Sequence, residues 1–438
     1  MAKSQQSLPS FDHRRLGREL ELFTFDATVG KGLPLWLPNG TVIRDELERL
    51  AKELEFVAGF QRVSTPHLAR SELYRQSGHL PYYARDMYPS MDVLEEVEEQ
   101  ADTVKDEYTL RPMNCPHHHR VFAAIPRSYR DLPLRLAEYG QVYRWERSGA
   151  LSGLARVRGM CMNDGHIYCT PEQVEAELHA VLDMYARIYG MLGIDRYQLR
   201  LSRRDANDPR QKYVDEPAAW KWAEQMLERV LVQRGAPFVD GTGHAAFYGP
   251  KIDVQVENIN GADETLSTVQ IDFVQPHRLG LQYVGADGAL NTPLCIHRAP
   301  FSTHERLVAF LLELCGGALP LWLSPVQVIA IAVADTYTDY AAGVVARLRA
   351  QGVRAESASA AATVAKNVRT AAKRKIPIQL VVGARERAEV SVTVRRHGDR
   401  EHRSLPLAEF EQRLLAAIGQ RDRTLPLSGD ASADLRHT

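Results

Sequence analysis

The sequence predicts an α+β protein, in which an antiparallel sheet flanked by helices is followed by a smaller α/β domain. Three observations favour this class. Segments with the two-residue alternation of strands are separated by helical segments up to about Pro325. No GxxxxGKS/T or GxGxxG loop, which a doubly wound sheet would use for a nucleotide, is present. Beyond Pro325, strands and helices alternate one by one, as in a small parallel sheet.

The first elements follow from apolar spacing and turn residues. From Thr41 to Val57, apolar residues recur every three and four positions, which is typical of an amphipathic helix. Residues 60–68 indicate a strand that is interrupted at Pro66. The acidic segment 91–107 predicts a solvated surface loop or a short helix.

The middle of the chain predicts a strand hairpin between helices. DEYTLRP at 106–112 alternates as a strand, and the next helix opens at Pro116. Residues 134–146 and 155–169 predict two antiparallel strands joined by a Gly/Ser-rich loop. The other elements predicted for this part are a helix from Thr170 to about Gly193, strands at 195–204, 241–258, 264–274 and 293–300, and helices at 216–233 and 302–317.

The smaller domain is predicted to alternate strand and helix. Its predicted strands are 326–333, 353–357, 378–383 and 390–396, and its predicted helices are 337–351, 360–375 and 407–418. Residues 1–11 and 420–438 are polar, so we expect a flexible N-terminus and a disordered tail.

Composition and charge are those of an ordinary globular chain. Of its 438 residues, 45% are hydrophobic and 25% are charged, and the net charge is −1, so overall charge neither favours nor excludes nucleic acid. Residues 366–403 carry 11 Lys or Arg and 4 Asp or Glu, which fits contact with phosphates or an ordinary solvated face. Five scattered cysteines, no membrane-spanning run and no signal peptide predict a cytoplasmic protein without membrane contact.

Cys115 in RPMNCPHHHR, His166 in NDGHIYC and His297 in CIHRAP could form a Cys/His/His zinc set with an open fourth position. No local zinc-finger spacing supports the set, and a buried cysteine is more often a small apolar core residue than a ligand. Consecutive residues on a helix point in different directions, so we predict no metal role for His117–His119.

The predicted hairpin carries charged residues suited to phosphate binding. Arg144, Glu146 and Arg156 lie where guanidinium groups could clamp a polyphosphate, although arginines on exposed strands are also common. A nucleotide site in this chain would have to use arginines instead of a glycine-rich loop.

A family resemblance adds to these observations. In order, DHRRLGREL, GLPLWLPNG, RPMNCP, LRLAEYG, RVRG, HIYCT, AFYGPKID, TVQIDF, YVG, IHRAP and HERL resemble the catalytic core of class II aminoacyl-tRNA synthetases, specifically the threonyl-tRNA synthetase family. From SPVQV onward the chain resembles that family's anticodon-binding domain. The resemblance implies a catalytic domain at 12–323 and an anticodon-binding-like α/β domain at 324–419. It also implies a form without the N-terminal editing domain of bacterial members.

The resemblance implies ATP-dependent activation of L-threonine to threonyl-adenylate and transfer to tRNA(Thr), with Mg²⁺ accompanying ATP and one Zn²⁺ per chain. The resemblance implies zinc ligation by Cys115, His166 and His297, and threonine binding by Asp164, Tyr248 and Gln270. It implies ATP binding by Arg144, Glu146, Arg156, Met160 and Arg306. It also implies catalysis by Arg144, Arg306 and His79, and a homodimer contact at Pro66. His79 would help the final proton transfer, so pH dependence near neutrality is expected.

The chain departs from the family pattern at several positions. Met160 replaces an aromatic residue that stacks on adenine, while Met162 and Thr265 each replace a glutamine near the substrates. In the smaller domain, Thr393 lies where an anticodon-reading arginine is expected, and residues 358–367 are rich in alanine. Serine lacks only a methyl group of threonine, so we expect mischarging with serine unless a separate protein edits.

Two alternatives remain open. One is a threonine-activating paralogue that passes the adenylate to an acceptor other than tRNA. The other is a non-enzymatic RNA-binding regulator, which the retained arginines and zinc set disfavour because a binder needs no phosphate clamp.

Overall fold

The computed structural model describes residues 11–95, 104–208, 212–259, 261–399 and 401–427. The flexible N-terminus predicted for 1–11 therefore lies outside the described residues except for its last residue. Residues 96–103 of the acidic segment and 428–438 of the predicted tail also lie outside them.

An eight-stranded sheet, called the central sheet below, organises the larger part of the molecule. Its strands lie side by side in the order Phe238–Thr242, Gln198–Arg203, Lys251–Glu257, Asp263–Asp272, Leu294–Arg298, Gly159–Cys169, Leu134–Tyr143 and Gln61–Arg62. Neighbouring strands are antiparallel, except that the pair at each end is parallel. The predicted α+β class with an antiparallel sheet is confirmed.

Helices cover one face of the central sheet. The helices that contribute to this core are His13–Glu19, Pro38–Val57, Val174–Leu192, Pro217–Gln233 and His304–Cys315. Ile167 and Cys169 on the strand Gly159–Cys169 pack against these helices. Because side chains alternate along a strand, the even-numbered residues of the same strand point to the opposite face. That face carries the candidate site.

Shorter elements complete the larger part. They are a three-stranded antiparallel sheet in the order Leu68–Arg70, Val104–Leu110 and Met91–Glu95, the strand pairs Phe23–Thr24 with Leu35–Trp36 and Tyr283–Val284 with Leu290–Asn291, the helices Ser71–Gln76, His79–Tyr83, Cys115–Ala123 and Gln275–Arg278, and the 3₁₀ turns Ala84–Asp86, Tyr129–Asp131, Ser148–Ala150 and Pro171–Gln173.

The prediction of a loop or short helix at 91–107 was wrong at both ends of that segment. Residue pairs such as Met91 with Tyr108 and Asp92 with Glu107 are aligned in an antiparallel ladder. Backbone pairing with the next strand of the chain outweighs the low strand propensity of acidic residues.

Some predicted boundaries also differ. The single strand predicted at 241–258 is two strands separated by a loop, because the chain turns at Gly243, where φ is +83°. The helix predicted from Thr41 begins at Pro38, a favoured residue for a first helical turn. The apolar spacing predicted that Val57, at the end of this helix, faces the core. This prediction was wrong, because Val57 is 77% exposed.

The smaller domain contains a five-stranded sheet in the order Ala355–Ser357, Val328–Ala332, Ile378–Val382, Ser391–Arg396 and His402–Pro406. The first three strands are parallel, but the last two pair antiparallel, so the predicted parallel sheet is a mixed sheet. Its helices are Thr338–Ala350, Val364–Lys373, Ala384–Glu389 and Leu407–Gly419, with a 3₁₀ turn at Asp335–Tyr337. The helix Ala384–Glu389 and the strand His402–Pro406 were not predicted.

The disorder predicted from residue 420 was wrong as far as residue 427. Leu425 is fully buried and Leu427 is almost so, and both pack in the core of the smaller domain. The backbone N–H of Leu321 donates to the carbonyl oxygen of Arg423, which connects this segment to residues 319–325 between the two domains. Among the described residues, no helix combines the length and apolar character needed to span a bilayer.

Candidate functional site

Strand register brings the main polar residues of the site into one row. His166, His297 and Gln270 lie directly opposite one another on three consecutive strands of the central sheet. Opposed side chains in a sheet lie about 5 Å apart at Cβ, so these three residues are neighbours. Asp164 is two residues from His166, and Asp272 is two residues from Gln270, so both carboxylates share the same face.

A candidate metal site lies at this row. The ligand atoms of Cys115, His166 and His297 are within 4.8 Å of one another, and all three residues are buried. Nε2 of His166 is buried without a hydrogen-bond partner. Burial, together with the charges of Asp164 and Asp272, raises the pKa of the Cys115 thiol well above its usual value. A divalent cation would pair with both groups, and one sulfur with two imidazole nitrogens suits zinc.

Asp272 orients His297. Its Oδ2 lies 2.8 Å from Nε2 of His297, and its Oδ1 accepts from the backbone N–H groups of Val274 and Gln275 at 2.8 and 2.9 Å. A second set of possible ligands, His119 with Asp272 and His297, also lies within 4.8 Å and shares His297 with the first set. We had predicted no metal role for His119.

Further polar contacts form a small pocket beside the candidate metal site. The hydroxyl of Tyr248 donates to Oε1 of Gln270 at 2.7 Å, and the Tyr248 ring stacks on His297 with ring centroids 5.0 Å apart. Nδ2 of Asn114 donates to Oδ2 of Asp164 at 3.1 Å, which holds the carboxylate in place. The pocket therefore offers a carboxylate, an amide and a phenol to a small polar ligand.

His79 is fully buried, and its Nδ1 lies 2.9 Å from the hydroxyl of Ser77. Burial, with the positive charge of Arg144 nearby, lowers the pKa of His79 to about 3. Its Nε2 is buried without a partner. The imidazole is therefore neutral near pH 7, and the low pKa disfavours the pH dependence near neutrality that we expected from His79.

The predicted phosphate residues form an arginine cluster. Arg156 contacts Oε2 of Glu146 through two nitrogens, at 2.9 and 3.0 Å, and Arg144 donates to the carbonyl of Pro112 at 3.2 Å. Burial lowers the pKa of Arg306, and the charges of Arg144 and Arg156 lower it further. Three guanidinium groups near one another are suited to a polyphosphate ligand.

The departures from the family pattern have partners inside the protein. Met160 is buried against Val142 and Val157. Thr265 accepts from Nε2 of Gln255 at 2.7 Å, and its carbonyl accepts from Arg306 at 3.2 Å. Met162 is half-buried on the same strand as Met160.

Three other predicted features lie outside this site. Pro66 is exposed between the strands Gln61–Arg62 and Leu68–Arg70. Thr393 donates to Oε1 of Glu386 at 2.9 Å in the smaller domain. The alanine-rich residues 358–367 line part of a cavity of about 260 Å³ in that domain.

Sequence reasoning missed Asn114, His118, Glu138 and Asp272. Alternation could have found Asp272, because it lies two residues from Gln270 on a predicted strand. Glu138 could have been noticed as a charged residue inside the largely apolar strand LRLAEYGQVY.

Comparison with protein families identifies this architecture. Residues 96–314 match the tRNA synthetase class II core domain (G, H, P, S and T), and residues 326–417 match an anticodon binding domain. The chain belongs to the family of class II tRNA synthetases.

Within that class, the similarity is to threonyl-tRNA synthetases. The threonine–tRNA ligases of Thermus thermophilus and Streptococcus gordonii are each 45% identical to this chain, over 410 and 413 residues. The alignments cover 94% of this chain but 61% and 62% of those relatives, so the chain spans about three fifths of their length. A crystal structure described as the RNA binding domain of threonyl-tRNA synthetase from Cryptosporidium parvum matches with a TM-score of 0.84 and 35% identity, covering 96% of this chain and all of that one.

Proposed function

We propose that the chain activates L-threonine with ATP and transfers the threonyl group to tRNA(Thr). The observation that carries this proposal is the row of His166, His297 and Gln270, with Cys115 and Asp164 beside it. The same row stands next to a cluster of arginines suited to ATP. The similarity to threonine–tRNA ligases supports the proposal.

Cys115, His166 and His297 would hold zinc, which when bound offers coordination to the amino and hydroxyl groups of threonine. Asp164, fixed by Asn114, would accept the hydrogen bond of the threonine hydroxyl. Valine has the shape of threonine but no hydroxyl, so it would leave these buried polar groups unpaired. A site built to bind a hydroxyl rejects such an analogue strongly, by roughly 10⁴- to 10⁵-fold in comparable enzymes.

In the first step, a carboxylate oxygen of threonine attacks the α-phosphorus of ATP, and pyrophosphate leaves. We assign the α-phosphate to Arg144, and the outer phosphates to Arg156 and Arg306, with Mg²⁺ entering as part of the ATP substrate. Their fixed positive charges would offset the negative charge that develops on the phosphoryl oxygens.

In the second step, a terminal ribose hydroxyl of tRNA attacks the carbonyl carbon of threonyl-adenylate, and AMP leaves. The hydroxyl must lose its proton in this step. We assign a supporting role to His79, because its neutral imidazole has a nitrogen, Nε2, without a partner.

The test is threonine-dependent exchange of pyrophosphate into ATP, followed by charging of tRNA(Thr). We expect both activities. Exchange without charging would favour a paralogue with a different acceptor. Absence of both activities, with RNA binding retained, would favour a regulator.

We also propose that this pocket charges serine when the chain is assayed alone. Serine has both groups that threonine offers to the metal, and one methyl group is worth only about 10- to 200-fold in discrimination. Seryl-tRNA formation within that range of the threonine rate is therefore expected, with valine as the control that should give no product. If serine were rejected as strongly as valine, a side chain of the pocket would have to contact the methyl group of threonine. A separate editing protein would then have no task.

We place this activity in the cytoplasm, because all five cysteines are free thiols.

A further inference from the structure

His118 contacts a proposed zinc ligand, although we predicted no metal role for the run His117–His119. It lies three residues after Cys115 on the same helix. Its Nδ1 is 2.8 Å from Nδ1 of His166, and its Nε2 is 3.1 Å from Oε2 of Glu138. All of these groups are buried. A carboxylate and two imidazoles therefore form one buried chain that ends at the candidate metal site.

Glu138 can only accept hydrogen bonds in this chain, because its carboxyl group is ionised. Its oxygens accept from the backbone N–H and the hydroxyl of Thr65 at 3.0 and 2.8 Å, and Arg111 lies 3.4 Å away. Burial would raise the pKa of Glu138, but hydrogen bonds from His118 and Thr65 and the charge of Arg111 hold it at about 2. The hydrogen between Glu138 and His118 is therefore on Nε2 of His118.

The remaining hydrogens follow along the chain. A neutral imidazole that donates from Nε2 has a lone pair on Nδ1, so Nδ1 of His118 can accept from His166. Two nitrogens 2.8 Å apart need one hydrogen between them, and this hydrogen must then belong to Nδ1 of His166. Nε2 of His166 is left with a lone pair and has no partner among the described residues. A metal-binding imidazole must have this form.

His297 reaches the equivalent form by a shorter route. The Asp272 carboxylate accepts from Nε2 of His297 at 2.8 Å, so Nδ1 of His297 keeps the lone pair. One histidine of the set is therefore oriented directly by a carboxylate, and the other by a carboxylate acting through His118.

We propose that His118 is a positioning residue that fixes the tautomer of His166, so that Nε2 of His166 is available to the metal ion beside Cys115. The proposal rests on the proposed zinc set of Cys115, His166 and His297. Partners that orient a metal ligand raise the affinity of a site for its metal, and their loss weakens binding typically about 10- to 100-fold.

The experiment measures zinc affinity of the full chain by competition with a chelator, without substrates. His118→Phe removes both hydrogen bonds at similar volume. His118→Asn places an amide oxygen near the position of Nδ1, where it can still accept from His166. His117→Phe is the matched control, because His117 is the buried neighbour on the same helix and its ring faces Tyr74 at 6.4 Å. Thermal unfolding of each zinc-free variant measures any structural effect.

We expect His118→Phe to bind zinc about 10- to 100-fold more weakly than His117→Phe. The zinc-free form of His118→Phe should also unfold at a lower temperature, because Glu138 and His166 each lose a buried hydrogen bond. His118→Asn should recover most of the wild-type affinity. Equal zinc affinity in both phenylalanine variants, with zinc bound by the wild type, would overturn the role of His118 alone. A wild-type chain that binds no zinc would overturn the proposed metal set and this inference together.

Discussion

Glu305 is a buried carboxyl group whose ionisation opposes folding. Burial raises its pKa from 4.5 to about 7, although its Oε2 accepts from the backbone N–H of Cys161 at 3.0 Å. A raised pKa in the folded state adds stability that is fully present below the unfolded pKa of 4.5 and is lost as pH rises through 7. The free energy of unfolding should therefore fall between about pH 5 and pH 8.

Glu305→Gln tests this effect because the amide stays neutral and its oxygen can still accept from Cys161. One pKa unit corresponds to about 1.4 kcal/mol, so the variant should gain on the order of 3 kcal/mol over wild type at about pH 8.5 and little at about pH 5. Urea unfolding at both pH values measures the difference. Glu172→Gln, on the exposed surface, should differ from wild type equally at both pH values. A Glu305→Gln effect independent of pH would contradict the assignment.

At the scale of elements, the loop between the strands Phe238–Thr242 and Lys251–Glu257 positions Tyr248. Gly249 in this loop lies close to the strand Asp263–Asp272, and an added Cβ would be 1.7 Å from the carbonyl oxygen of Ile271. Gly249→Ala should therefore push the loop off the sheet and separate Tyr248 from Gln270.

We expect Gly249→Ala to lower kcat/KM for threonine by roughly 10²-fold, because displacements of about 1 Å in a positioned site have effects of that size. KM for ATP should change little, since the arginine cluster lies on other elements. Gly190→Ala is the control, as Gly190 lies on a helix with open space around it and alanine there should add about 0.5–1 kcal/mol of stability. Unchanged threonine kinetics in Gly249→Ala would show that Tyr248 does not shape the pocket.

The elements that the sequence predicted well are those with local signals. The strands Leu134–Tyr143 and Gly159–Cys169 and the helix Val174–Leu192 carry long periodic patterns, and Gly193 in a left-handed conformation ends the helix as expected. The strand Met91–Glu95 was missed because its acidic composition has low strand propensity and its stability comes from pairing with the strand Val104–Leu110, which was predicted in part.

The candidate site shows the same division. Family motifs indicated Cys115, His166 and His297, and the fold brings them together. The roles of His118 and Glu138 could not be predicted, because no local pattern says which of three adjacent histidines on a helix faces a strand that begins 11 residues after Ala123. Contacts between elements decide that question.

At the scale of the whole molecule, exposed apolar residues lie on both sides of Pro66 in the sequence, the position predicted for dimer contact. Phe56 and Val57 are 81% and 77% exposed, and Leu68 beyond Pro66 is 43% exposed. If these side chains form one contiguous apolar patch, such a patch is typical of an interface. We expect a mass in solution of twice the chain mass of 49.2 kDa, measured by light scattering after gel filtration.

Phe56→Asp should shift this protein to the monomer, because an interface would bury the new charge without a partner. Val232→Asp is the matched control, since Val232 is 64% exposed on the helix Pro217–Gln233. A dimer that tolerates Phe56→Asp would place the contact elsewhere.

Arg354 connects the two domains by hydrogen bonds, and Arg421 adds an ion pair with Glu53 of the larger domain. Arg354 precedes the strand Ala355–Ser357 of the smaller domain, and its Nη1 lies 2.7 Å from Oε1 of Glu46 on a helix of the larger one. It also donates to the carbonyl oxygens of Trp322 and Ser324 at 2.6 and 2.9 Å. Burial lowers the pKa of Arg354, so the positive charge of the guanidinium group is stabilised by these hydrogen-bond partners. Arg354 therefore connects the smaller domain both to residues 322–324 and to the larger domain.

Arg354→Met keeps the packing of the side-chain stem but removes these hydrogen bonds, which should cost on the order of 2 kcal/mol. Calorimetry should then resolve two unfolding transitions in place of coincident ones. Threonine-dependent pyrophosphate exchange should be unchanged because the site row lies within the larger domain. KM for tRNA should rise, since the proposed tRNA substrate would contact both domains. Arg347→Met removes an ion pair with Glu411 inside the smaller domain, so it should leave KM for tRNA unchanged. Equal effects of the two variants on tRNA charging would mean that the angle between the domains is set by other contacts.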